Sequence, residues 1–187
     1  MVDKTAKEIT TVGTKVVYEN RWIRVREDAI RRQDGSKGIF GVVEKPDFVV
    51  IVPVEADGSV HLVEQYRYPV GGRFWEFPQG SWEHEPGADP LEVARGELQE
   101  ETGLVAEQMT YAGHLFQGYG YATQGYHVFL AQDLRRTAVE LDHEEQDLIT
   151  QQFSPSVLVK MIRDGAIKDA TTVAALGLLQ LKGLLQP

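Results

Sequence analysis

At 187 residues, 42% apolar and 25% charged, the chain suits one domain, or a domain with an appendage, and can bury roughly 70% of its unfolded surface. A net charge of −9 argues against a broad nucleic-acid or anionic-membrane surface, and the lack of cysteine excludes disulfides and thiolate catalysis. The start, MVDKTAKEITT, has no apolar signal core and no run reaches transmembrane length, so a cytoplasmic location without membrane attachment is expected.

After the polar start, residues 15–18, 23–27 and 39–43 read as three short strands, with Asp34-Gly35 as a turn between the last two. This stretch holds too little apolar material for a core of its own. It is expected to pack on the main body or to pair with another subunit. Lys45-Pro46-Asp47 marks a boundary, giving an N-terminal β region at 1–45 and a main domain at 46–187. Residues 48–54 and 60–66 flank Asp57-Gly58, a hairpin signal. The first of these runs is nearly all apolar, which suits a central strand covered on both faces. Residues 74–77 form another strand-like run, closed by Pro78-Gln79-Gly80.

A helix follows, with Asp89 as N-cap, Pro90 at its first position and Glu92 placed to complete a capping box. Leu91, Ala94 and Leu98 form its apolar stripe, and Gly103 is the left-handed stop. Residues 109–115 and 126–131 are further strands. Ser154-Pro155 opens a second helix that Gly165 closes, and Val173, Leu176 and Leu179 line a third. Strands interleaved with three helices predict an α/β (α+β) fold with a mixed sheet between helical layers.

The first helix carries the chemistry. Glu97 sits above Glu100 and Glu101 on one face, because positions three and four apart are neighbours on a helix. Like charges at that spacing cost roughly 0.2–0.5 kcal/mol per pair, a cost that a bound cation offsets. Clustered carboxylate oxygens suit Mg²⁺ or Mn²⁺ rather than zinc. Taken alone, such a cluster also fits a solvated acidic face. The five histidines show no paired ligand spacing, and there is no G-x-S-x-G or P-loop, so zinc, serine-nucleophile and ATP-cradle readings lapse.

The segment Glu97-Leu98-Gln99-Glu100-Glu101-Thr102-Gly103-Leu104 resembles the second half of the Nudix box. The resemblance extends to Val63-Glu-Gln-Tyr-Arg-Tyr-Pro-Val70, to Trp75-Glu-Phe-Pro-Gln-Gly80, and to Phe153-Ser-Pro and Asp164-Gly-Ala-Ile-Lys-Asp169. Together these resemble the ADP-ribose pyrophosphatase-like branch, which implies a Nudix α/β/α sandwich with an N-terminal antiparallel β appendage. Two departures stand out. The distance from Gly80 to Glu97 exceeds the family pattern by two residues, which places an insertion in 82–88 and leaves only Glu83 or Glu85 as loose counterparts of the family's first Glu. The family's Arg, which orients a metal-binding carboxylate, is replaced by Gly96, beside Arg95. Close backbone packing explains a helical glycine, and reduced or redirected activity is the functional alternative.

The resemblance implies metal-dependent hydrolysis of a nucleoside diphosphate sugar, ADP-ribose first, to a nucleoside monophosphate and a sugar phosphate. Glu97, Glu100 and Glu101 would hold the metal, with the Gln79 carbonyl as an extra ligand, and Glu100 could assist a bound hydroxide. Glu144, then Glu145, are candidates for the base, with a solvated acidic loop as the alternative. Arg67 and Arg73 are candidates for phosphate contacts, with a surface ion pair the alternative for Arg67. The loop 117–125 lies where ADP-ribose-specific members carry Pro-Gly, with Tyr119 at the Pro position; Tyr119 and Tyr121 could stack on a base, with solvent-facing loop aromatics the alternative. Trp22 could stack on adenine across a dimer or anchor the appendage. A homodimer through the N-terminal strands is implied by the same resemblance. A dinucleoside polyphosphate hydrolase and a non-catalytic nucleotide-binding module remain alternatives, the latter suited by Gly96 and Gln124.

Overall fold

The computed structural model describes residues 8–82, 85, 87–137 and 147–185, and the chain forms two compact units. The first comprises Met1–Pro46 and Phe116–Gly125. Its antiparallel sheet has the order β1 (Ile9–Glu19), β2 (Arg24–Arg32), β3 (Lys37–Glu44). Asp34-Gly35 does make the turn between β2 and β3, with Gly35 at φ 82° and the Arg32 N–H donating to Ser36 O at 2.9 Å. β1 and β3 run past their expected bounds at both ends, and β2 runs past its expected C-terminal end. Backbone pairing continues through polar residues such as Arg31 and Lys37, where no apolar alternation marks a strand. Every residue of β1 is exposed, including Val12, Val16, Val17 and Tyr18. Val43 and Tyr121 hold the later segment to β3, since the Val43 N–H donates to Tyr121 O at 2.8 Å and the Thr123 N–H to Val43 O at 2.9 Å.

The second unit, Asp47–Leu115 with Tyr126–Pro187, contains the helices. β4 (Phe48–Pro53) lies inside a sheet of order β7 (Gln79–Gly80), β4, β9 (Gly125–Arg136), β8 (Leu104–Phe116). It runs parallel to β9 and antiparallel to β7, so the sheet is mixed. Alternation along β4 feeds two cores. Val50 and Val52 pack with Val128, Leu130, Ala175 and Leu179, while Val49 and Ile51 pack with Val93, Ala94, Leu98 and Phe129. α1 (Pro90–Thr102) thus covers one face and α2 (Pro155–Arg163) and α3 (Ala170–Leu181) the other, as expected for a strand apolar on both sides.

Three expectations need correction. The turn at Asp57-Gly58 forms, with Gly58 at φ 84°, but it does not join a hairpin. The bridge Val54↔Val60 and the Glu55 N–H donating to Ser59 O at 2.8 Å link its arms without forming a ladder, and β5 (Val60–Arg67) leaves to a separate sheet between β10 (Ile149–Phe153) and β6 (Gly72–Glu76). Turn chemistry sets the reversal, whereas core burial decides which strand each arm pairs with. Val173 does not line α3's buried face; Thr171, Thr172 and Ala175 do, beside the expected Leu176 and Leu179. The strand β10 carries no apolar alternation and was not anticipated. Among the described residues no helix is long and apolar enough to cross a membrane.

Candidate active site

α1 is built as its sequence dictates. Asp89 Oδ1 accepts the Leu91 N–H at 2.9 Å, Pro90 occupies the first turn, and Gly103 at φ 65° closes the helix by donating to Gln99 O at 2.8 Å. Glu92 lies exposed in the first turn. Burial of Val93, Ala94 and Leu98 against β4 fixes the helix rotation, and that rotation turns Glu97 and Glu101 inward with Glu100 half-buried.

The two-residue strand β7 then places both inward carboxylates. The Gln79 N–H donates to Glu101 Oε2 at 3.0 Å. Glu97 lies against the bare Cα of Gly80, where a Cβ would fall 2.3 Å from Oε2 and 2.5 Å from Cδ. Glu97 is 6% and Glu101 1% exposed, one helical turn apart. Two like charges that deep are costly unless a cation shares them, and the donors are all oxygen. The residues present therefore fit a hard divalent ion.

Gly96 has a packing role. A Cβ there would sit 2.3 Å from Cζ2 of Trp82, whose indole covers the position the family's Arg would occupy. Arg95 does not substitute for it, because its Nη1 donates to Ala106 O at 3.1 Å and not to a site carboxylate. We expect Gly96→Ala to lower thermal stability: overpacking costs about 1–3 kcal/mol, against about 1 kcal/mol of helix propensity regained. A melting curve should show a fall of several degrees in Tm, and Trp82→Ala combined with Gly96→Ala should cost less than the two changes summed.

A third buried carboxylate lies three residues before Gln79, and the sequence did not single it out. Glu76, the last residue of β6, is 2% exposed. Arg67 Nε donates to its Oε2 at 3.2 Å and Arg67 Nη2 to its Oε1, while Gln65 Nε2 donates to Oε1 at 3.0 Å. Burial pushes the Glu76 carboxyl above the usual carboxylate range, against the pull of Arg67. The Gln79 side chain donates to Asp169 Oδ2 at 3.4 Å, linking the network to the N-cap of α3. A lone acid in the apolar run at 74–77 was the available signal. Arg73 is engaged elsewhere: Nε meets Glu64 Oε2 at 3.1 Å, and Nη1 and Nη2 donate to Asp147 Oδ2 at 2.5 Å and Asp147 O at 2.7 Å.

A family described as the NUDIX domain matches residues 44–176, and one described as the nucleoside diphosphate sugar hydrolase N-terminal domain matches residues 9–43. The chain belongs to the Nudix family. It is 30% identical to a methanol dehydrogenase activator of Bacillus methanolicus, over 96% of each chain. It is 27% identical to an ADP-ribose pyrophosphatase of Bacillus subtilis, again over 96% of each. An ADP compounds hydrolase of known crystal structure superposes with a TM-score of 0.84 at 24% identity, covering 97% of this chain and 98% of that one, which supports the fold. Within the Nudix family, these relatives place the chain in the ADP-ribose pyrophosphatase-like branch.

The remaining Nudix site candidates lie outside α1 and β7. Tyr119 and Tyr121 are exposed, Tyr121 with its ring over Gly118. Trp22 is 41% exposed, with the Arg21 guanidinium 4.0 Å from its ring centre. Glu85 is exposed. Glu83, Glu144 and Glu145 lie outside the described residues.

Proposed function

We infer that this Nudix chain hydrolyses the pyrophosphate bond of a nucleoside diphosphate sugar, ADP-ribose first among them, to a nucleoside monophosphate and a sugar phosphate. The observation that carries this reading is the pair of buried glutamates, Glu97 and Glu101, lodged against the backbone of Gln79 and Gly80. Glu97, Glu100 and Glu101, with the Gln79 carbonyl, would hold Mg²⁺ or Mn²⁺. When bound, such an ion neutralises the anionic bridge and lowers the pKa of a coordinated water.

The chain's own groups do the rest. Water attacks one phosphorus in line, the bridging P–O bond breaks, and the released phosphate leaves as an anion. Glu144, or Glu145, takes the proton from the attacking water. Asp147 adjoins that stretch, and its ties to Arg73 hold the entry to β10. Arg67, 39% exposed at its side chain and steadied by Glu76, presents its guanidinium to a substrate phosphate. Arg73 is a weaker phosphate candidate, with its donors spent on Glu64 and Asp147. Tyr119, Tyr121 and Trp22 offer exposed rings for a base. Arg67→Ala should raise KM for ADP-ribose several-fold in steady-state assays; an unchanged KM would remove Arg67 from the site.

The exposed apolar side chains of β1, together with Ile39 and Phe40 of β3, support a homodimer formed through the N-terminal strands. On this reading residues 1–45 are the dimerisation region and 46–187 the hydrolase domain. The acidic net charge favours a small anionic substrate held locally over any nucleic-acid partner, in a cytoplasmic setting. A non-catalytic binding module is less favoured, because both features that suited it have structural work. Gly96 makes room for Trp82, and the Gln124 side chain donates to Pro46 O at 2.8 Å. Incubation with ADP-ribose, other nucleoside diphosphate sugars and dinucleoside polyphosphates in the presence of Mg²⁺ separates the readings by product.

A further inference from the structure

Histidines that show no ligand spacing in the sequence meet at one end of the mixed sheet. Asp47 precedes β4, His114 lies near the end of β8, and His127 lies near the start of β9, the strand between them. Strict alternation along β8 would put His114 on the same face as buried Ala112. Gly113, at φ 146°, breaks the alternation, so that Ala112 and Leu115 share one core and His114 is left outside it. His114 then meets His127, with ring centres 4.9 Å apart. His114 Nε2 lies 2.8 Å and His127 Nε2 3.9 Å from Asp47 Oδ2. One ligating atom from each residue falls within 4.8 Å of the others.

We propose that Asp47, His114 and His127 form a second metal site, distinct from the glutamates of α1, which takes a borderline transition ion of the Zn²⁺ class. Two imidazoles and one carboxylate select such ions over Mg²⁺, which prefers oxygen alone. Ligands of a tetrahedral Zn²⁺ stand about 3.3 Å apart, given bonds of about 2.0–2.1 Å. The observed separations lie on either side of that value, so small side-chain rotations close the site. The outer contact is already in place: the Tyr111 hydroxyl is 3.3 Å from His127 Nδ1, where accepting the Nδ1 proton leaves Nε2 free to ligate. Three protein ligands leave at least one position open to water or a small anion. Val49 of β4 pairs with Gly80 on one side and His127 on the other. The His127 backbone therefore stands two strand spacings, about 10 Å, from the backbone that cradles Glu97.

The test is equilibrium dialysis of the full chain against Zn²⁺ in excess Mg²⁺, with metal analysis and circular dichroism to verify the fold. The wild type should retain one Zn²⁺ per chain, and so should Glu97→Gln/Glu101→Gln. The His114→Ala/His127→Ala variant should lose it, and Tyr111→Phe should weaken binding roughly 10-fold or more. Co²⁺ in place of Zn²⁺ should give the visible absorption of a low-coordinate ion in the wild type, absent from the double-histidine variant. The proposal is overturned if the wild type retains no Zn²⁺, if the folded double-histidine variant retains as much as the wild type, or if Zn²⁺ is lost with the glutamates instead. These outcomes are independent of whether ADP-ribose is cleaved.

Discussion

Glu101→Gln should lower Mg²⁺-dependent hydrolysis of ADP-ribose by roughly 10²–10³-fold, because a metal-holding carboxylate accounts for several kcal/mol of charge stabilisation and each 1.36 kcal/mol is tenfold in rate. The substitution is nearly isosteric. Its amide oxygen can still accept the Gln79 N–H that reaches Glu101 Oε2 at 3.0 Å, and the Thr150 hydroxyl still donates to the backbone carbonyl of residue 101. Fold and melting temperature should therefore persist while the charge is lost. Glu100→Gln should behave alike, with even less effect on stability because Glu100 is only half-buried. Steady-state kinetics alongside a thermal melt checks both. Wild-type rates in a folded variant would reject these ligands.

Gly80→Ala separates metal binding from folding more sharply. The new methyl group would lie 2.3 Å from Glu97 Oε2, 2.5 Å from Cδ and 2.6 Å from Oε1, so the carboxylate must move. The obstructed group is the far end of a flexible side chain, and Gly80 is not among the positive-φ glycines. The fold can yield there cheaply, but the site cannot. The Mg²⁺ concentration giving half-maximal rate should rise about tenfold or more, as ligand misplacement of this kind does elsewhere. Tm should fall by no more than a few degrees. A titration of rate against Mg²⁺ decides it; an unchanged metal requirement would detach Glu97 from the chemistry. Gly96→Ala makes the contrasting case, since a rigid indole blocks its methyl group and the cost should fall on stability.

The parts legible in the sequence were those fixed by neighbours in the chain. Asp89, Pro90 and Gly103 punctuate α1 locally, and the glutamate spacing follows from helical period alone. The unbroken apolar run of β4 announced burial on both faces, and the sheet confirms it. What stayed hidden depends on contacts between distant segments. The reversal at Asp57-Gly58 was visible, yet not that its arms part into different sheets. The two-residue β7 is too short for any pattern, although it positions both inward glutamates. Trp82 over Gly96, Arg67 on Glu76 and the meeting of His114 with His127 each join residues nine or more apart through packing or strand order. A periodicity reading has no access to such pairs.

The most direct measurement is product analysis after incubating the purified chain with ADP-ribose and either Mg²⁺ or Mn²⁺, with chelator as control. AMP and ribose 5-phosphate formed in equal amounts, and abolished by the chelator, are the result expected. ADP-ribose left intact by folded protein with both ions, while other nucleoside diphosphate sugars also survive, would contradict the account.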